Sequence, residues 1–160
     1  MVEELAAIGA TVHTFSRNEA ELIELLQEWS PKGFKVTGSV SDAPSREQRA
    51  KTIERVSSIF YGKLNVLVNN VGTDNIWKKA IDFTSEDYNV ILSTNLESCF
   101  HFSQLAYPPL KSSGTGNIIF ISSNTGLASL RHLSVNFATK GAMNHLTRNL
   151  AYSYQINGTF

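Results

Sequence analysis

A single cysteine, Cys99, in 160 residues excludes an internal disulfide and a cysteine-rich metal centre, and no metal site is expected. Neither sign of charge is in excess: 14 basic and 14 acidic side chains cancel and are interspersed, so the chain carries no electrostatic footprint for nucleic acid or an anionic membrane. No apolar run approaches the roughly 20 residues needed to span a bilayer. The acidic opening Met-Val-Glu-Glu-Leu-Ala-Ala is unlike a secretory signal. Proline numbers four, and there is no repeat or low-complexity tract to suggest disorder or a solenoid. These absences predict a cytoplasmic protein whose partner is a small molecule or another protein. The hydrophobic share, 42%, is enough for one packed domain over residues 1–160.

Hydrophobic periodicity supplies the order of elements. Val2, Leu5 and Ala6 read as helix turns with Gly9 as the stop, and Ala10 to Ser16 as a strand. Asn18 caps a helix to Trp29, Phe34 to Val40 is a second strand, and Pro44 to Tyr61 a helix with Ile53, Val56 and Phe60 on one face. Leu64 to Asn70 is a third strand, apolar enough to be covered by helices on both faces. A long helix from Ser85 to about Leu105, a strand from Asn117 to Ser122 and a helix from Val135 to about Tyr154 complete the series. Strands separated by helices predict an α/β fold with a doubly wound parallel sheet.

Four places carry polar groups that could be chemical, and two of them fall at the carboxyl edge of the strands. Asn69-Asn70-Val71-Gly72 ends the third strand, where open parallel sheets bind ligands, although Asn and Gly are also ordinary turn residues. Asn95 falls inside the apolar stripe Tyr88, Ile91, Leu92, Leu96 and Cys99. A buried amide must find partners, so it either satisfies backbone groups or holds water or a catalytic side chain. The turn Ile121-Ser122-Ser123-Asn124-Thr125-Gly126 is rich in hydroxyls, but without a His/Asp relay it cannot supply a serine nucleophile. On the last helix Asn136 and Lys140 are four residues apart and share a face.

Taken in order, several strings resemble the short-chain dehydrogenase/reductase family, and within it the tropinone reductase-like branch. They are Ser16-Arg17-Asn18, Lys32-Gly33-Phe34-Lys35-Val36, Gly62-Lys63-Leu64-Asn65-Val66-Leu67-Val68-Asn69-Asn70, Thr94-Asn95-Leu96-Glu97-Ser98, Gly116-Asn117-Ile118-Ile119-Phe120-Ile121-Ser122-Ser123 and Ala138-Thr139-Lys140-Gly141-Ala142-Met143-Asn144. The resemblance implies hydride transfer between NADP(H) and a small carbonyl or alcohol. It assigns Ser123 to orient the carbonyl, Lys140 to contact the nicotinamide ribose and lower a tyrosine's pKa, and Asn95 to anchor a water. Arg17 matches the basic position that pairs with the 2′-phosphate of NADP, and Asp42 the residue beside the adenine. Asp42 suits helix capping equally well. Asn69, Gly72 and Lys140 complete the implied cofactor set.

Two departures accompany the resemblance. The tyrosine belongs four residues before the lysine, where this chain has Asn136. An amide donates a hydrogen bond but gives up no proton at neutral pH, and loss of a general acid costs about 10²- to 10⁴-fold in rate. Phe137 offers no hydroxyl in exchange. The family's first strand, its glycine-rich phosphate loop and its last strands also have no counterpart in these residues. The expected fold is therefore an incomplete Rossmann-type sheet, in which the first and third strands visible here either face each other across roughly 10 Å or pair directly. These features predict an oxidoreductase by descent with little or no activity and a weakened hold on NADP(H). The alternative is a non-catalytic module that pairs with a full-length paralogue, or with itself, through the helices at 85–105 and 135–154.

Overall fold

The computed structural model describes residues 1–123 and 130–154. Its architecture is α/β with parallel strands, in the order α1 (Val2–Ala7), β1 (Val12–Ser16), α2 (Glu19–Trp29), β2 (Val36–Val40), α3 (Arg46–Ile59), β3 (Val66–Asn69), α4 (Ser85–Leu92), a π-helical turn (Ser93–Glu97), α5 (Ser98–Ser113), β4 (Asn117–Phe120) and α6 (Ser134–Ser153). A short 3₁₀ turn, Ala80–Asp82, precedes α4. No helix among the described residues is long and apolar enough to cross a membrane.

Local chemistry accounts for the helix starts. Asn18 accepts the Glu21 N–H at the head of α2, and Ser45 accepts the Gln48 N–H at the head of α3. At α4 the Thr84 hydroxyl and the Asp87 carboxylate exchange bonds with each other's backbone in a capping box. Gly9, the predicted stop, has φ +93°, a conformation that a residue with a Cβ adopts only with strain.

The strands form two parallel pairs. Val12 to Ser16 of β1 lie opposite Val36 to Val40 of β2, and Val66 to Asn69 of β3 lie opposite Asn117 to Phe120 of β4. Of the two arrangements expected for the middle of the sheet, the structure takes the unpaired one: among the described residues no ladder joins β1 to β3. Continuity across the middle comes from α5. Its Phe102, Ala106 and Leu110 are at most 3% exposed and pack with Ala43 and Ile53, while Phe15 of β1 and Leu67 and Ile118 of β3 and β4 lean on the same cluster. The Phe15 and Phe102 ring centroids are 5.2 Å apart. Burying a side chain such as Leu110 contributes roughly 1.5–3 kcal/mol.

Three expectations need correction. Helix α5 runs on to Ser113 rather than ending near Leu105, although Pro108 and Pro109 lie inside it and cannot donate to the preceding turn. Packing outweighs the missing bonds, because Leu110 is fully buried and the Pro109 carbonyl accepts the Leu64 N–H at 2.9 Å. The third strand is not covered on both faces: Val66, and Ile119 of β4 opposite Val68, are 44% and 45% exposed. Tyr88 drops out of the apolar stripe, being 51% exposed, whereas Ile91, Asn95 and Cys99 are buried as predicted.

Candidate active site

The centre of the site is the Asn95 side chain, which is fully buried. Its Oδ1 accepts the Thr73 N–H at 2.7 Å and its Nδ2 donates to the Thr73 carbonyl at 3.0 Å, so both edges of one residue beyond Gly72 are held. Those two bonds fix which end of the amide is oxygen. The same Nδ2 donates to Asn136 Oδ1 at 2.7 Å and lies 3.4 Å from Thr139 Oγ1. Because Asn95 presents a donor, Asn136 must turn its oxygen toward it, and the amide nitrogen of Asn136 points elsewhere. That nitrogen is buried and has no partner. Thr139 anchors the same residue from behind, donating to the Asn136 carbonyl at 2.7 Å. A buried donor left unsatisfied costs roughly 1–3 kcal/mol.

Asn95 reaches this position because the helix widens around it. Ser93–Glu97 is a π-helical turn between α4 and α5, a geometry that recurs at functional sites. Side chains take hold of its carbonyls: Ser98 Oγ donates to Thr94 O at 2.5 Å, Cys99 Sγ to Leu96 O at 3.0 Å, and Arg49 Nη1 to Glu97 O at 3.0 Å. Arg49 is wholly buried and also donates to Pro44 O at 3.1 Å and to Glu97 Oε1 at 3.1 Å. Its hydrogen bond, with that of Arg46, holds the Glu97 carboxyl below the ordinary range. Burial pushes the Cys99 thiol up to about 11, so it is an inert packing group.

Lys140, one turn beyond Asn136, donates from Nζ to the Ile121 carbonyl at 2.9 Å. Burial lowers its pKa from the ordinary lysine value, and the Cys99 thiol partly opposes that shift. A Cβ placed on Gly72 would sit 3.7 Å from Asn95 Oδ1 and 3.7 Å from Lys140 Nζ, so this glycine marks the corner where amide and ammonium converge. Ser122 Oγ donates to the Lys140 carbonyl at 3.4 Å. Ser123 is exposed just past the end of β4; the rest of its turn, Asn124 to Gly126, lies outside the described residues. Asn69 faces the other way: it is 5% exposed, donates to Ser103 Oγ at 3.3 Å, and ties the strand end to α5.

Arg17 is exposed immediately after β1, and Asp42 is half-buried just past β2. Asp42 does not cap α3, a role that Ser45 fills; instead its N–H donates to Gln48 Oε1 at 2.6 Å. The structure therefore brings Gly72, Asn95, Asn136 and Lys140 together, with Ser123 at the end of β4. It sets Arg17 and Asp42 on the other strand pair and turns Asn69 into the core. Sequence reasoning missed Thr73 and Arg49. Thr73 takes part through its backbone, which no side-chain pattern marks, and Arg49 reads on a helix as one more solvated cation.

Comparisons with known proteins identify the family. A family model described as short chain dehydrogenase matches residues 1–158. Senescence-associated protein 13 of Arabidopsis thaliana is 56% identical over 151 residues, covering 94% of this chain and 56% of the relative. A tropinone reductase homolog of the same plant is 57% identical over 151 residues, covering 94% and 57%. The chain thus spans little more than half the length of these relatives. Among solved structures, a gluconate 5-dehydrogenase from Burkholderia cenocepacia, in complex with NADP and tartrate, superposes with a TM-score of 0.86 at 26% identity, over 95% of this chain and 59% of that one.

Proposed function

The chain belongs to the short chain dehydrogenase family, on its tropinone reductase-like branch, and from that premise we propose that it is a cytoplasmic NADP(H)-dependent oxidoreductase by descent whose hydride transfer to small carbonyls is largely silenced by Asn136. The convergence of Asn95 and Lys140 on Gly72, beside the ends of β3 and β4, is the observation that carries this reading. NADP(H) would supply the hydride. Lys140, with two protons left beyond the Ile121 bond, suits contact with a ribose hydroxyl, and Arg17 suits a phosphate. Asp42 lies beside the second strand end for the adenine side, Gly72 keeps the corner open, and Asn69 contributes by holding the strand end that carries it. Ser123 would orient the carbonyl. The complex of the Burkholderia relative with NADP supports the choice of cofactor.

The chemistry that fails is the proton. Asn136 occupies the position from which a phenol would protonate the alkoxide, and its oxygen is committed to Asn95. The test is a calorimetric titration with NADPH, followed by assay of cyclic-ketone reduction by the protein and by Asn136→Tyr. Saturable binding with slow or undetectable turnover, rising about 10²-fold or more in the tyrosine variant, is expected. Absence of NADPH binding by a folded sample would overturn the reading.

A second reading, an interaction module, draws support from an apolar groove of about 380 Å³ between α4, the π turn and α6, lined by Tyr88, Leu92, Leu96, Val135, Ala138 and Ala142. Co-purification with a longer paralogue, lost on Ala138→Glu, would favour it, and a strictly monomeric product would count against it.

A further inference from the structure

Two backbone edges border the middle of the sheet without partners. In a parallel ladder, alternate residues bond one neighbour and the residues between them turn their N–H and C=O groups to the other side. Val12 donates to Lys35 O at 2.9 Å and Ser16 O accepts from Ser41 at 3.0 Å, so Val12, Thr14 and Ser16 serve β2. His13 and Phe15 present their backbone groups away from it. In β3, Asn65 O accepts from Asn117 at 2.8 Å and Asn69 O from Ile121 at 2.9 Å, which commits Asn65, Leu67 and Asn69 to β4 and turns Val66 and Val68 outward. Among the described residues no ladder takes up these groups. Strand edges that stay bare in solution are ordinarily guarded by lysine or proline. Neither Val12-His13-Thr14-Phe15-Ser16 nor Val66-Leu67-Val68-Asn69 contains one.

We propose that the gap between β1 and β3 is a strand-accepting slot, occupied by an extended segment of a second polypeptide that pairs with both edges and is apolar on both faces. The width follows from α5. Phe15 and Leu67 both lean on its Phe102, Ala106 and Leu110, and a helix with its side chains is only about 10–12 Å across. Paired strands lie about 4.8 Å apart, so two strands seated on one helix without pairing leave room for a single guest. Each strand is reached through a helix that returns the chain, so β1 and β3 run the same way and the guest lies parallel to both. One face of the guest meets the α5 cluster. The other lies beside Val66 and Ile119, which are exposed on the side opposite Leu67 and Ile118. This surface is separate from the groove beside α6 and owes nothing to NADP(H).

The test adds the peptide Lys-Ala-Val-Ile-Val-Ala-Lys to the whole chain, without cofactor, and follows amide hydrogen exchange by NMR. The same peptide N-methylated at both valines keeps its side chains but cannot pair along one edge. Saturable binding should slow the His13, Phe15, Val66 and Val68 amides by about 5- to 10-fold or more, affect the already paired Thr14 and Leu67 amides less, and disappear with the methylated peptide. Val66→Lys, at an exposed position, sets a guarding charge at the edge and should weaken binding several-fold. Slow exchange at His13, Phe15, Val66 and Val68 in the peptide-free protein would mean that the edges are already covered and would overturn the proposal. Equal binding of the methylated peptide, protection that does not alternate along the strands, or no binding by a folded sample would do the same.

Discussion

Replacing Arg49 with methionine tests whether the π turn that carries Asn95 is held from α3. The guanidinium is fully buried and reaches Pro44 O at 3.1 Å, Glu97 O at 3.0 Å and Glu97 Oε1 at 3.1 Å, so methionine fills the space but withdraws every donor. Hydrogen bonds from a charged group are worth roughly 1.5–3 kcal/mol each, but the carboxylate contact must be discounted because the Glu97 side chain is 39% exposed. The two shorter carbonyl contacts, to Pro44 and Glu97, dominate over the 3.4 Å contact to Ser45 O, and Arg49→Met should lower the unfolding free energy by about 3 kcal/mol in a urea titration followed by tryptophan fluorescence. Glu97→Gln, which keeps the carbonyl contacts, should cost within about 1 kcal/mol. The pair also separates by pH. Arg49 depresses the Glu97 carboxyl in the fold, so its ionised form stabilises above the unfolded pKa, and that contribution is lost as pH falls through the folded value. Glu97→Gln should remove that acid-side loss, and Arg49→Met, which leaves Arg46 on the carboxylate, should reduce it. If Arg49→Met costs less than 1 kcal/mol, or leaves the Asn95 amide signals where Glu97→Gln leaves them, the clamp does not position the site.

Other perturbations reach different parts of the structure. A Cβ on Gly116 would lie 2.5 Å from the Leu110 carbonyl oxygen, so Gly116→Ala should destabilise by about 1–3 kcal/mol in thermal melts, and an unchanged Tm would contradict the close approach of β4 to α5. His13 contacts Thr37 Oγ1 at 2.8 Å and Ser39 Oγ at 3.0 Å, and burial, with Arg55 nearby, lowers its pKa to about 4. The unfolded chain takes up that proton first, so stability should be flat above about pH 6.5 and fall steadily toward pH 4. His13→Leu should flatten that slope; an identical slope would assign it to other groups.

How far the sequence reveals this molecule depends on which force decides each feature. Helix starts at Asn18 and Thr84 are local chemistry, and periodicity placed most elements within a few residues. Strand ends shrank, from Leu64–Asn70 to Val66–Asn69, because ladder bonds need a partner that composition does not reveal. Helix α5 passed Pro108 because burial of Leu110 outweighs two missing bonds, a tertiary effect. Asn95 was visible as a buried amide that must find partners, and the structure gives it the Thr73 backbone and the Asn136 side chain. The π turn was invisible, since Ser-Thr-Asn-Leu-Glu reads as ordinary helix and the Arg49 that bonds its last carbonyl arrives from another element.

The polar network is confined to one side of the molecule. Thr73, Asn95, Asn136, Thr139 and Lys140 come from the loop after β3, the π turn and α6, and none comes from β1 or β2. The β1–β2 pair, which carries Arg17 and Asp42 beyond its ends, meets the rest through Phe15 on Phe102 and through α3 against α5. With no ladder from β1 to β3, that junction is a packed interface without cross-strand bonds, and such junctions open at lower free energy than the elements they join. A cofactor held by Arg17 on one side and Lys140 on the other would bridge it. At a hundredfold excess over its Kd, NADPH should then add about 2.7 kcal/mol to global stability. In hydrogen exchange, the added protection should fall on β1 and β3 amides at the unpaired edges more than on α6. Protection confined to the Lys140 side would mean that Arg17 and Asp42 take no part, and that the two strand pairs are coupled without the cofactor.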